Sequence, residues 1–168
     1  MLLKIVNAFA EAAQEVLLAE AALTAHRGEV ALVQQPYITQ EVTVLISLVG
    51  DLRGTVVYSL SQAAALALAA QMLGEPLEHF DGLAQSGIAE LGNVITGQAA
   101  SRLAGQGYHF SISPPSLILG HNVTLSTLDL PQIAIPLATE IGPLLLHLAV
   151  RSADGWVPGT GSLSRPSP

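Results

Sequence analysis

Two β-branched runs, EVTVLISLVG (residues 41–50) and GTVVYSL (residues 54–60), are separated only by DLR, between Gly50 and Gly54. A connection that short joins antiparallel neighbours, because a parallel crossover needs a dozen residues or more. The chain is therefore built around an antiparallel hairpin, and the rest must pack on that sheet or extend it. QIAIPLATE (132–140) and GPLLLHLAVRS (142–152), joined around Gly142-Pro143, read as a second hairpin. YHFSISPPSLILG (108–120) reads as strand interrupted at Pro114-Pro115, and EVALVQQPY (29–37) as a short strand ending at Pro36.

Between and before the strands the periodicity changes to that of helices. Over residues 4–24, Ile5, Phe9, Ala12, Val16 and Ala19 fall on one stripe with Glu11 and Glu15 off it, and His26-Arg27-Gly28 supplies a basic-then-glycine stop. Ser61 is placed to N-cap a helix over 62–73 that Gly74 ends, and EPLEHFDG (75–82) connects it to a further helix over 86–105. The order helix, strands, helix, helix, strands predicts an α+β fold, an antiparallel β-sheet packed with about three helices, rather than alternating βαβ units. One domain over residues 1–153 is expected. The Pro-, Gly- and Ser-rich residues 154–168 are expected to form a disordered C-terminal tail, with Trp156 as a lone aromatic in it.

Half of the residues are hydrophobic and only 11% are charged, with a mean hydropathy of +0.50. The longest apolar runs, however, are about half the ~18 residues a membrane span requires. The first 20 residues carry glutamates where a secretory signal has its apolar core, so a cytoplasmic protein is expected. A net charge of −7 with six scattered basic residues argues against nucleic acid as a partner. No cysteine is present, and His26, His79, His109, His121 and His147 lack the short spacing of metal ligands, so no metal site is expected. So apolar and sparsely charged an exterior suggests that a second chain covers part of it.

The unusual stretch is SGIAELGNVITGQAASRLAG (86–105), a helical pattern that contains Gly87, Gly92, Gly97 and Asn93. Each interior glycine costs about 1 kcal/mol against alanine, and asparagine roughly 0.7. At about 100° per residue with Glu90 at zero, Ser86 falls near −40°, Asn93 near −60° and Gly97 near −20°. Ile88, Leu91, Ile95, Ala99 and Leu103 take the opposite side, between about 100° and 220°. One face thus packs, and the other presents a carboxylate, an amide and a glycine in line. Polar residues on a solvated face are the ordinary explanation of such a pattern. Asn and Gly are nonetheless costly choices for that purpose, and uncompensated local costs concentrate at functional positions.

A lone carboxylate excludes a glycosidase pair, and Ser86 has neither a nucleophile elbow nor a nearby histidine. An amide beside a carboxylate suits the positioning of water. It donates and accepts hydrogen bonds without repelling an anionic phosphoryl group, and phosphoryl transfer depends on positioning more than on a strong base. The glutamate is then free to anchor a basic residue of whatever carries the phosphate.

SGIAELGNVITG resembles the Ser/Asp-x-x-x-Glu-x-x-Asn-x-x-x-Gly helix signature of the CheC/CheX chemotaxis phosphatases, and NAFAEAAQEVL, LISLVGDLRGTVVYSLS and SISPPSLILG are similar to CheX segments in the same order, over most of residues 4–151. The resemblance implies a phosphatase acting on the aspartyl phosphate of a CheY-type response regulator. In it Asn93 would orient the attacking water, Glu90 would pair with a lysine of the regulator, and Ser86 and Gly97 would support docking. It implies that Mg²⁺ is supplied by the regulator's site and that no cofactor is bound by this chain. CheC carries two copies of the motif. The first helix here has no Glu-x-x-Asn, so a single site is implied, as in CheX, whose members are similar in being homodimers. A non-catalytic module that binds a response regulator or signalling partner is the alternative, and a purely structural dimerisation domain is a third reading.

Overall fold

The structure is a computed structural model and describes residues 1–34, 36–127 and 130–159. Helix α1 (Leu2–Ala21) leads into the short strands β1 (His26–Arg27), β2 (Ala31–Val33) and β3 (Tyr37–Ile38). The long hairpin β4 (Val42–Gly50) and β5 (Leu52–Leu60) follows, then α2 (Gln62–Leu73) and α3 (Gly82–Ala104). The chain ends with β6 (Phe110–Ile112), β7 (Ser116–Leu119), β8 (Thr124–Leu125), β9 (Gln132–Ala138) and β10 (Leu144–Ser152).

The main sheet runs β1-β9-β10-β5-β4-β6, with β2 added on β9 and β7 on β4, and β3 pairs with β8 as a separate ribbon. Every ladder is antiparallel. This is the α+β arrangement the element order predicts. The two hairpins meet in the middle, where β10 pairs with β5 from Leu145↔Ser59 to Ser152↔Leu52. The strands pack closely at Gly54, where an added Cβ would lie 1.9 Å from the Ala149 carbonyl oxygen and φ is +143°. No side chain fits there.

Alternation decides the two faces of the sheet. Val44, Ile46 and Leu48 of β4, Val56, Tyr58 and Leu60 of β5, and Leu146, Leu148 and Val150 of β10 are buried in one core with Ile5, Phe9, Ala12 and Val16 of α1. All three helices contribute buried residues to that core. On the other face Tyr37 stacks on His147, with ring centroids 3.8 Å apart and planes 3° from parallel. Gln132 turns its Nε2 to Thr127 Oγ1, so its Oε1 accepts from His147 Nδ1 at 3.1 Å. Burial lowers the His147 pKa to about 4 and keeps the ring neutral.

The structure revises several local expectations. Ser61 caps α2 over the expected residues by accepting from Ala64 N, and Gly74 ends it. Helix α1, in contrast, stops before the basic pair. Ala22 adopts the left-handed conformation (φ 50°, ψ 33°), Ala22 N–H and Leu23 N–H bond back to the Leu18 and Leu17 carbonyls, and Leu23 is buried. A hydrophobic residue after the turn has ended the helix where a glycine was expected to. His26-Arg27 instead forms β1, and Ala19 faces solvent rather than the core. The strand expected to end at Pro36 is the short β2, and a separate piece, β3, begins after Pro36 and pairs with a different partner.

The expected tail also begins differently. After β10 a turn forms in which Trp156 N–H donates to Ser152 Oγ and Ser152 N–H to the Trp156 carbonyl, and Trp156 packs against the core. Residues 154–159 are thus folded back onto the domain. The remainder of that expected tail, 160–168, lies outside the described residues.

Candidate functional site

Helix α3 is fixed at its start by Asp81, whose Oδ1 accepts from Leu83 N and Ala84 N at 3.1 Å each. Its middle lies close against the sheet. Gly92 is buried, and a Cβ there would sit 2.9 Å from Val44 Cγ1 and 3.3 Å from Tyr58 Cδ2. One turn on, Thr96 donates to the Gly92 carbonyl at 2.7 Å, so the buried Tyr58 hydroxyl, 2.8 Å from Thr96 Oγ1, must donate to it. Burial raises the Tyr58 pKa well above the ordinary range for a tyrosine, so this donor stays protonated. The far end is tied to α1: Gln98 donates to Glu15 at 2.6 Å, and Arg102 pairs with Glu11 at 3.0 Å and with Glu15.

These anchors set the rotation of the helix. Ile88, Leu91, Ile95, Ala99 and Leu103, the expected packing face, are all buried. Glu90 and Ser86 are exposed, Asn93 and Gly97 half-buried, and all four lie on the face turned away from the sheet. The structure therefore brings the four candidate residues onto one outward stripe of one helix.

The polar side chains of α3 divide sharply. Gln85, Thr96, Gln98, Ser101 and Arg102 are each committed to a protein partner. Ser86, Glu90 and Asn93 make no hydrogen bond or ion pair among the described residues. The three that match the phosphatase signature are the three left free. A carboxylate and an amide one turn apart, without internal partners, are available to a water molecule and a cation that arrive from outside.

The glycines divide in the same way. Gly92 is needed by the fold, whereas Cβ atoms at Gly87 and Gly97 would meet nothing within 4 Å. The sequence pattern grouped all three. The helical projection separates them, since Gly92 falls near 200°, among the packing residues. Asp81 is the structural residue that the pattern missed: an Asp-Gly pair there reads as a turn, yet the aspartate is also a preferred N-cap.

The stripe lies outside the cavities of the structure. Two cavities, of about 240 and 380 Å³, are lined by other elements, and a smaller one touches only the packing side of α3, at Ile88, Leu91, Gly92 and Ile95. An exposed ridge that lines none of these cavities suits a macromolecular partner that brings its own reacting group, rather than a small substrate that must be enclosed. Among the described residues no group of three or more His, Asp or Glu side chains could hold a metal ion, and no helix is long and apolar enough to cross a membrane.

Comparison with known proteins agrees with this geometry. The family model for chemotaxis phosphatase CheX matches residues 42–138, which include the central hairpin and all of α3. The CheY-P phosphatase CheX of Thermotoga maritima is 28% identical over 151 residues, covering 89% of this chain and 97% of that protein. Among solved structures, the chemotaxis protein CheX of Desulfovibrio desulfuricans superimposes with a TM-score of 0.81 at 25% identity, over 88% of this chain and 99% of that one. The CheX of a CheX–CheY–BeF₃–Mg²⁺ complex from Borrelia burgdorferi shares the fold, with a TM-score of 0.76 at 23% identity over 88% and 97% of the two chains. With the family pattern spanning more than half of its length and the fold shared over nearly all of its relatives' chains, this protein belongs to the chemotaxis phosphatase CheX family.

Proposed function

We propose that this protein is a phosphatase that hydrolyses the aspartyl phosphate of a CheY-type response regulator. The observation that carries the reading is the set of uncommitted side chains, Ser86, Glu90 and Asn93, on an otherwise fully committed helix of a CheX-family fold. The relative from T. maritima is a CheY-P phosphatase and matches along almost its whole length.

In the reaction the partner supplies the phosphorylated aspartate and its Mg²⁺, and this chain supplies position. The Asn93 side chain accepts a hydrogen bond from a water molecule and directs its oxygen at phosphorus, in line with the bond to the aspartyl oxygen. The new P–O bond forms as the old one breaks. The aspartate leaves as a carboxylate, inorganic phosphate departs, and the water's proton passes to phosphate or solvent. An amide does this without bringing negative charge to the phosphoryl oxygens. Glu90, one turn away and without an internal partner, pairs with a lysine on the regulator and fixes the register of docking. Ser86 flanks the pair, and Gly97 keeps the ridge low so that the regulator's backbone can approach.

The catalytic unit, residues 1–153 with the turn of residues 154–159 packed on it, works as a cytoplasmic homodimer, which also covers part of a sparsely charged exterior. Asn93→Ala is expected to abolish phosphate release while the regulator still binds, and Glu90→Ala to weaken both binding and turnover. A protein that binds a phosphorylated regulator without accelerating phosphate loss would be the non-catalytic module instead.

A further inference from the structure

Three exposed apolar side chains surround the candidate site, and one of them comes from a different helix. Leu83 and Val94 belong to α3, are 58% and 38% exposed, and fall near 20° and 40° on the projection that places Glu90 at zero. The third is Leu18 of α1, 57% exposed. Helices α1 and α3 run antiparallel, and the Glu11–Arg102 and Glu15–Gln98 contacts fix their register. One turn beyond Glu15 along α1 is Leu18, and one turn back from Gln98 along α3 is Val94. The two residues therefore stand level on the shoulder between the helices, beside the turn that carries Glu90 and Asn93.

We infer that Leu18 and Val94 form an apolar docking shoulder for the phosphorylated receiver domain, and that Leu18 is a specificity residue outside the signature helix. The inference rests on the proposed function and extends its interface. The occupant follows from continuity: Val94 lies about 40° from Glu90, on the side of the ridge away from Asn93 and Gly97, so a receiver that pairs with Glu90 while its phosphate meets Asn93 also covers Val94 and the level neighbour on α1. Charge agrees, because Glu11 and Glu15 below the shoulder are both engaged by Arg102, whereas Glu90 on α3 has no partner among the described residues and is open to a basic group. The open space above Gly87 and Gly97 leaves room on either side of Glu90 for the partner's backbone. Leu18 also precedes the residues 42–138 that the family pattern covers, which suits a contact that selects among receivers rather than one that performs the reaction.

The test measures initial rates of phosphate release from a phosphorylated CheY-type receiver with Mg²⁺, over a range of receiver concentrations. Leu18→Gln keeps helix propensity and is expected to raise KM about fivefold, the share of one partly buried leucine, with kcat within about twofold. Leu3→Gln, at a more exposed leucine of α1 (68%) about four turns away, is expected to change neither. Asn93→Ala in the same series is expected to lower kcat and retain receiver binding. An unchanged KM in Leu18→Gln, with Asn93→Ala inactive, overturns the shoulder and leaves the phosphatase reading standing. So does an equal rise in Leu3→Gln, or a change of sedimentation in Leu18→Gln without a change in KM, which would make the shoulder a contact between copies. A wild type that accelerates no receiver removes the phosphatase reading, and the shoulder with it.

Discussion

Gly92 and Gly97 lie five residues apart on the same helix, and the same added methyl group is expected to act on them in opposite directions. At Gly97 a Cβ enters open space, so Gly97→Ala gains helix propensity of about 0.8 kcal/mol and raises Tm by roughly 2–4 °C. The same methyl group raises the ridge beside Asn93, and phosphatase activity is expected to fall. At Gly92 the Cβ would press on a branched valine and a tyrosine ring held in the core. The overpacking cost of about 1–3 kcal/mol exceeds the propensity gain, so Gly92→Ala is expected to lose about 1 kcal/mol in urea unfolding. A gain in stability at Gly92 would remove it from the helix–sheet contact. Asn93 is the complementary case, a residue with no internal partner to lose. Asn93→Ala is expected to gain about 0.7 kcal/mol of helix propensity and to raise Tm by roughly 1–3 °C, because no internal contact is lost with the amide.

At the scale of elements, α3 is presented by its anchors rather than by its own propensity. Asp81→Ala removes the N-cap and is expected to cost about 1 kcal/mol, read as a lower urea midpoint with an unchanged m-value. At α1 the opposite change is available. Ala22 holds a left-handed conformation, so Ala22→Gly is expected to stabilise by about 0.5–1 kcal/mol. Elements with a local signal were legible in the sequence: the Ser61 cap and Gly74 stop of α2, the tight β4–β5 hairpin, and the buried face of α3. Those decided by distant contacts were not. The end of α1 depends on Leu23 finding the core, and β1 and β3 exist only because β9 and β8 pass beside them. The turn holding Trp156 is likewise formed by a side chain meeting the core, inside a segment whose composition alone reads as disordered.

The whole molecule carries a buried acid-sensitive group on the face of the sheet away from the helices. His147 is neutral when folded, with a pKa lowered by burial to about 4 from an ordinary 6.5. Between these values the unfolded chain binds the proton and the folded chain does not. This contribution is therefore complete above pH 6.5 and is lost as pH falls toward 4, with a slope approaching about 1.4 kcal/mol per pH unit. Urea unfolding at pH 7 and pH 5 measures it, and His147→Phe is expected to show a smaller difference between the two; an equal difference would place the acid sensitivity elsewhere. The candidate site itself was legible because it breaks local rules: an asparagine and two open glycines on an exposed helical face cost stability and serve no contact within the chain. The packing role of Gly92, the Asp81 cap and the shoulder that Leu18 adds from α1 were not, since each depends on where two elements meet. The most direct test of the central claim is single-turnover loss of phosphate from a phosphorylated CheY-type receiver with Mg²⁺, using wild-type protein and Asn93→Ala. Acceleration by the wild type and none by Asn93→Ala, with both binding the receiver, is the predicted result. Equal acceleration by the two proteins would contradict it, because the amide would then have no part in placing the water.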